Sequence, residues 1–220
     1  MRLRNIPGAR EALEKDANVF VETELKKGEW ACVFGNDHPI HIEIGTGKGR
    51  FINELALKNP DINYLGLEKY SSVLIKAMKK LQDEPKENLR LIRMDAVYLT
   101  DCFAPGEVDK IYLNFSDPWP KDRYAKRRLT SDRFLARYEN VLKPGGVIEF
   151  KTDNSDLFAF SLESVKNKGW ELIYVTEDLY ADEEALKDNT ATEYELKFTK
   201  LGNKICKLTA MFVPPGHSAK

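Results

Sequence analysis

Apolar positions along the chain fall into two alternating patterns. Dense apolar runs occur at PIHIEIG (39–45), INYLGLE (62–68), NLRLIRMD (88–95), KIYLNFSD (110–117), GVIEFKTD (146–153) and WELIYVT (170–176). Segments with apolar residues three and four apart lie between them, at 48–58, 70–82, 131–142 and 155–166. The first pattern predicts strands and the second helices. Their alternation predicts an α/β fold, a mostly parallel sheet covered by helices on both faces. A last run, KLTAMFV (207–213), follows a charged loop without a long helix and is expected to enter as an antiparallel edge strand.

The first five strands end on carboxylates: Glu43, Glu68, Asp95, Asp117 and Asp153. Turns favour Asp, so one or two such endings carry no meaning. Five in succession, at the sheet edge where open α/β folds bind ligands, point to a site. Glu43 opens EIGTGKG (43–49), a strand leading into a glycine loop and a helix. A P-loop would need glycine where Ile42 stands and Ser or Thr where Gly49 stands. A dinucleotide fingerprint would need its third glycine where Arg50 stands. An acid-lined edge would also repel phosphates, which argues against NAD or ATP. Lys48 and Arg50 bring some positive charge to the same loop. E-x-G-x-G-x-G remains, the loop of S-adenosylmethionine-dependent methyltransferases, whose glycines let the backbone approach the donor. Glu68 would then accept from the ribose hydroxyls and Asp95 from the adenine amino group. VLKPGGVIEFKTD (141–153) reads as a helix stop, a tight turn and a strand start.

Composition narrows the class without deciding it. The chain has 220 residues, 42% hydrophobic and 31% charged, suiting one domain with a short arm. Thirty-five acids nearly balance thirty-four bases, so affinity for nucleic acid would need a local patch. Such a patch is visible in NFSDPWPKDRYAKRR (114–128), and Arg133 and Arg137 would continue it on a helix. Most charge runs are ordinary solvated surface, but this one begins four residues past Asp117. Cys32, Cys102 and Cys206 lie far apart, and the three histidines lack ligand spacing, so no disulfide framework or metal is expected. Without a signal-peptide pattern or membrane span, a cytoplasmic protein is expected.

IEIGTGKG (42–49), YLNFSDPWPKDRYAKRRL (112–129), FKTDN (150–154) and TATEYELKF (190–198) together resemble the bacterial tRNA (guanine-N7)-methyltransferases. The DPWPK stretch with its basic run carries most of the specificity. The resemblance implies a Rossmann-like methyltransferase fold with a seven-stranded sheet. It places an N-terminal arm and helix at 1–36, the catalytic domain at 37–213 and a mobile tail at 214–220. Glu43, Gly45, Gly47, Glu68, Asp95 and Asp117 would hold S-adenosylmethionine. Lys121, Asp153, Thr190, Ala191, Thr192 and Glu193 would hold the target guanine. Arg123, Tyr124, Lys126, Arg127 and Arg128 would hold the RNA backbone. The implied partner is tRNA, methylated at a guanine of its variable loop, and the implied assembly is a monomer or homodimer. Two departures from the family pattern are slight: Glu rather than Asp at 68, and an uncharged Tyr194.

Guanine N7 carries a free lone pair, so transfer needs alignment and stabilisation of charge rather than a proton-abstracting base. Asp117 is the expected catalytic carboxylate, restricted by Pro118 and Pro120. Trp119 either stacks on a base or packs the turn onto the core. Thr190-Ala-Thr-Glu193 has capping-box spacing and so could simply start a helix. A carboxylate at 193 could instead accept from guanine N1–H and N2–H₂ together. The alternatives are a nucleotide-dependent oxidoreductase, an amino-group methyltransferase using the same acid-Pro turn, and a non-catalytic RNA-binding protein.

Overall fold

The computed structural model describes residues 6–21 and 26–214, in two compact units divided between Ala104 and Pro105. The first unit holds strands β1 (Val19–Phe20), β2 (Ile40–Ile44), β3 (Asn63–Glu68) and β4 (Leu89–Arg93). They run parallel in the order β1-β4-β3-β2, with Ile44 opposite Leu67 and Glu68 opposite Arg93. Ile42, Leu65 and Leu91 are fully buried, as strands covered on both faces require. Helices α1 (Ala9–Glu14), α2 (Trp30–Phe34), α3 (Arg50–Lys58), α4 (Ser71–Asp83) and α5 (Leu99–Cys102) accompany them. α3 buries Phe51, Ile52, Leu55 and Ala56, and α4 buries Leu74, Ile75, Ala77, Met78 and Leu81. That spacing turns one helical stripe inward, and each large side chain so buried contributes about 1.5–3 kcal/mol.

Residues 6–21 and 26–36 are built into this unit. α1 packs on α4, β1 adds a strand beside β4, and Trp30 is fully buried between Phe20 and Phe103, at 5.3 and 5.6 Å. Trp30 Nε1 donates to Cys102 O at 3.0 Å. β1 raises the strand number among the described residues to eight where seven were expected; two residues are too few for any periodicity to register. Residues 1–5 of the expected arm and 215–220 of the expected tail lie outside the described residues.

The second unit holds β5 (Val108–Asn114), β6 (Leu142–Thr152), β7 (Glu171–Thr176) and β8 (Cys206–Met211), in the order β5-β6-β8-β7. β5 and β6 are parallel, while β8 runs antiparallel to both β6 and β7. The last apolar run is thus antiparallel, but it inserts between two strands instead of forming an edge. Its fully buried Leu208 and Ala210 fit an inner position, and the half-exposed alternation of β7 fits the margin. β6 starts at Leu142, earlier than the expected turn allowed. The glycines join the ladder: Gly145 N–H donates to Phe212 O at 3.1 Å, and Phe212 N–H to Gly146 O at 2.8 Å. Helices α6 (Asp132–Val141), α7 (Ser155–Asn167), α8 (Glu183–Lys187) and α9 (Glu193–Thr199) complete this unit. Among the described residues no helix is long and apolar enough to cross a membrane.

Candidate active site

The first unit presents the glycine loop at the end of β2. Gly45, Gly47 and Gly49 all have positive φ, at 81°, 60° and 78°. Their tasks differ. A Cβ at Gly45 would meet nothing within 4 Å, so backbone conformation alone selects glycine there, and the space above stays open. A Cβ at Gly49 would lie 2.7 Å from Ala77 Cβ, so the third glycine serves the close approach of α3 and α4. Gly45 and Thr46 donate their N–H groups to Leu67 O at 2.8 and 3.0 Å, tying the loop to β3. Glu43 is only 2% exposed and accepts from Thr46 Oγ1 at 2.6 Å. It lies under the loop and shapes it.

Glu68 ends β3. Its carboxylate accepts backbone N–H bonds from Gly47, Lys69 and Tyr70, the last at 2.9 Å. Burial nevertheless prevails and pushes its pKa above the ordinary glutamate value. Asp95, two residues past β4, caps the following turn by accepting from Val97 N–H at 3.1 Å. Its other oxygen accepts from Lys69 Nζ at 3.2 Å, and both partners are well exposed. An open loop beside a desolvated acceptor suits a ligand rich in hydroxyl and amino donors and poor in phosphate.

The second unit presents Asp117 in the loop after β5, exposed and three residues beyond the strand's end. The backbone on both sides is unusual: Phe115 has φ 50° and Trp119 φ 43°, left-handed values that cost about 1–2 kcal/mol each in an L-residue. Arg128 offsets that strain. Its Nε donates to Pro118 O and its Nη2 to Trp119 O, both at 3.1 Å, while its guanidinium lies 4.3 Å from the Phe160 ring centroid. The half-buried Arg128 therefore clamps the turn, a different placement from the others of its basic run. Lys121, Arg123, Lys126 and Arg127 are exposed. Arg127 covers Trp119 and Tyr124 at 4.9 and 4.8 Å, and Arg123 covers Tyr124 at 4.9 Å. Trp119 is half-buried in this cation–aromatic cluster, edge-on to Tyr124 at 5.8 Å.

Asp153 follows β6 directly. One of its oxygens accepts from Tyr194 Oη at 3.2 Å and Asn203 Nδ2 at 3.0 Å. Tyr194 is the second residue of α9, so the stretch 190–194 and Asp153 come together in this unit. The tyrosine ring stacks on Phe198 at 4.0 Å and lies 4.8 Å from Phe115. Thr190 is buried, and Ala191, Thr192 and Glu193 are half-buried. The helix cap is real, but its register is two residues later than the spacing at 190 suggested. Thr192 Oγ1 accepts from Glu195 N–H at 2.9 Å, and Thr192 N–H donates back to Glu195 Oε2 at 3.3 Å. Sequence reasoning missed Glu195 and its partner Lys151, both fully buried, with Nζ and Oε2 2.6 Å apart. A signal existed for Glu195, since Thr192-x-x-Glu195 also has capping-box spacing; Lys151 gave none, because it falls on a polar position of the Ile148-Glu149-Phe150 alternation.

Comparison with known proteins adds a second line. A methyltransferase family model matches residues 37–208. A protein of Lachnoclostridium phytofermentans named tRNA (guanine-N(7)-)-methyltransferase is 57% identical over 210 residues, covering 96% of this chain and 98% of that one. One of the same name from Bacillus subtilis is 50% identical over 206 residues, covering 93% and 96%. Among solved structures, an antibiotic-related methyltransferase superposes with TM-score 0.63 at 21% identity, covering 84% of this chain and 93% of that one. The 16S rRNA methyltransferase KamB gives 0.64 at 16% identity, covering 85% and 94%. At such identities these likenesses speak for the fold alone, an α/β Rossmann-like methyltransferase fold.

Proposed function

Because this chain belongs to the tRNA (guanine-N7)-methyltransferase family, we propose that it transfers the methyl group of S-adenosylmethionine to N7 of a guanine in the variable loop of tRNA. The observation that carries the reading is Asp117, exposed between two left-handed residues and held by the Arg128 clamp. Strained backbone that the surroundings over-determine is a feature of functional sites.

Bound S-adenosylmethionine supplies an electrophilic methyl group on a sulfonium. Glu68 would accept from the ribose hydroxyls and Asp95 from the adenine amine, with Lys69 giving up or sharing its bond to Asp95. Gly45 and Gly47 leave room for the methionine part, and Glu43 keeps their loop in shape. Lys121, Asp153 and the stretch Thr190, Ala191, Thr192 and Glu193 would hold the guanine edge. The Asp117 carboxylate would stabilise the positive charge that methylation leaves on the purine. Arg123, Tyr124, Lys126 and Arg127 hold phosphates without reading bases. Arg128 serves them indirectly, through the turn it fixes. The reaction uses tRNA as partner and belongs in the cytoplasm.

The modified position gives a test. Reductive strand scission at 7-methylguanine, applied to tRNA treated with protein and donor, is expected to cut once, in the variable loop. Cutting elsewhere would reassign the substrate site, and cutting that persists with Asp117→Ala would remove that residue from the reaction.

A further inference from the structure

Lys151 and Glu195 form the most deeply buried ion pair among the described residues: both side chains are wholly inaccessible. A buried pair is weak evidence for stability, because desolvation of two charges offsets most of their attraction. What this pair accomplishes is therefore sought in the groups it holds in place. Lys151 Nζ donates to Glu195 Oε2 at 2.6 Å, Thr190 O at 2.9 Å and Asn189 Oδ1 at 3.1 Å. Glu195 Oε1 accepts from Asn189 Nδ2 at 2.7 Å and Tyr180 Oη at 3.2 Å, and Oε2 also accepts from Thr192 N–H at 3.3 Å. One ammonium on β6 thus fixes the main chain at 190, the side chain at 189 and the first turn of α9.

The residues so fixed flank the expected guanine-binding elements. Lys151 lies two residues before Asp153, and Tyr194 immediately precedes Glu195. Tyr194 donates to Asp153 and packs on Phe115, the left-handed residue that leads into Asp117. Phe115 N–H in turn donates to Lys151 O at 2.8 Å. Backbone and side chain of Lys151 therefore reach both the Asp117 turn and the 189–195 segment.

We infer that Lys151 and Glu195 are positioning residues for methyl transfer: through Tyr194 they hold Asp153 and the 190–193 stretch in the arrangement that aligns the guanine. Neither touches RNA or donor. This rests on the substrate-side reading of Asp153 and 190–193 given above.

The double substitution Lys151→Met with Glu195→Leu tests it, because it removes both charges together and leaves no unpaired buried ion, while Thr190 O, Asn189, Tyr180 Oη and Thr192 N–H lose the partners that fix them. Cooperative thermal unfolding and unchanged binding of S-adenosylmethionine are expected. The kcat on tRNA is expected to fall at least tenfold, with the tRNA KM within about twofold, since the basic run 121–127 is untouched. A folded, donor-binding variant with kcat within twofold of the parent would overturn the inference and leave the pair a fold anchor. Tyr194→Phe supplies an independent arm should the double variant not fold. It removes one exposed phenol and leaves the core intact; a kcat reduced about fivefold supports the inference, and an unchanged kcat overturns it. Parent protein that leaves tRNA guanine unmethylated would instead mark a failure of the underlying functional reading.

Discussion

Asp117 is exposed, yet the chain beside it is held in conformations that L-residues avoid, and a single arginine fixes both carbonyls that follow it. Removing Arg128 should therefore do more than remove a charge. Arg128→Ala is expected to lower stability by about 2 kcal/mol, the scale for hydrogen bonds from a charged group. Transfer should slow as well, because Asp117 loses its support. Lysine at 128 should restore less than half of the loss, since it lacks the planar fork. Arg123→Ala, on exposed surface, should change stability by less than about 0.5 kcal/mol in the same denaturant titration. That contrast could not be read from DPWPKDRYAKRR, where five cations look alike; only the fold makes one of them a clamp. Glu68 has a sign of its own. Burial raises its folded pKa above the unfolded value of 4.5. Its contribution to stability is thus fully present below the unfolded pKa and is lost as pH rises through the folded one. Glu68→Gln should be as stable as the parent or more so at pH 7, an advantage that disappears on acidification below 4.5. Donor affinity should move oppositely, falling in the variant at pH 7, and falling in the parent on acidification at pH values above 4.5. Calorimetric titration across pH checks both.

At the scale of elements, the glycine loop separates conformation from packing. Gly45→Ala meets no neighbour and should cost about 1–2 kcal/mol through its left-handed backbone. Gly49→Ala meets that penalty and also the Ala77 methyl at 2.7 Å, so overpacking should add about 1–3 kcal/mol. Equal losses in thermal unfolding would contradict this division. The strands and four long helices were legible because their periodicity extends over five or more residues. α3 starts two residues later than its apolar pattern, because Gly49 is left-handed and cannot be the first helical residue. β1 and the insertion of β8 were not legible: the first is two residues long, and strand order is a tertiary choice that alternation does not encode. Within the site, the acids and the basic run could be read from residue types. The Thr192–Glu195 register needed the structure, since two overlapping four-residue spacings compete in TATEYE and burial of Glu195 against Lys151 decides between them.

The molecule as a whole carries a formal charge of −1, so attraction to a polyanion must be local. Replacing Arg123, Lys126 and Arg127 by glutamine should weaken tRNA binding similarly across tRNA sequences. It should also flatten the dependence of log K on log salt by about 2, if each contacts one phosphate. An unchanged slope would return the run to ordinary surface. The central claim, guanine-N7 methylation of tRNA, meets its most direct test in mass spectrometry of nucleosides from unmodified tRNA incubated with protein and S-adenosylmethionine. A 7-methylguanosine peak that requires both is the predicted result. Another methylated nucleoside in its place, or none from protein that binds the donor, would contradict it.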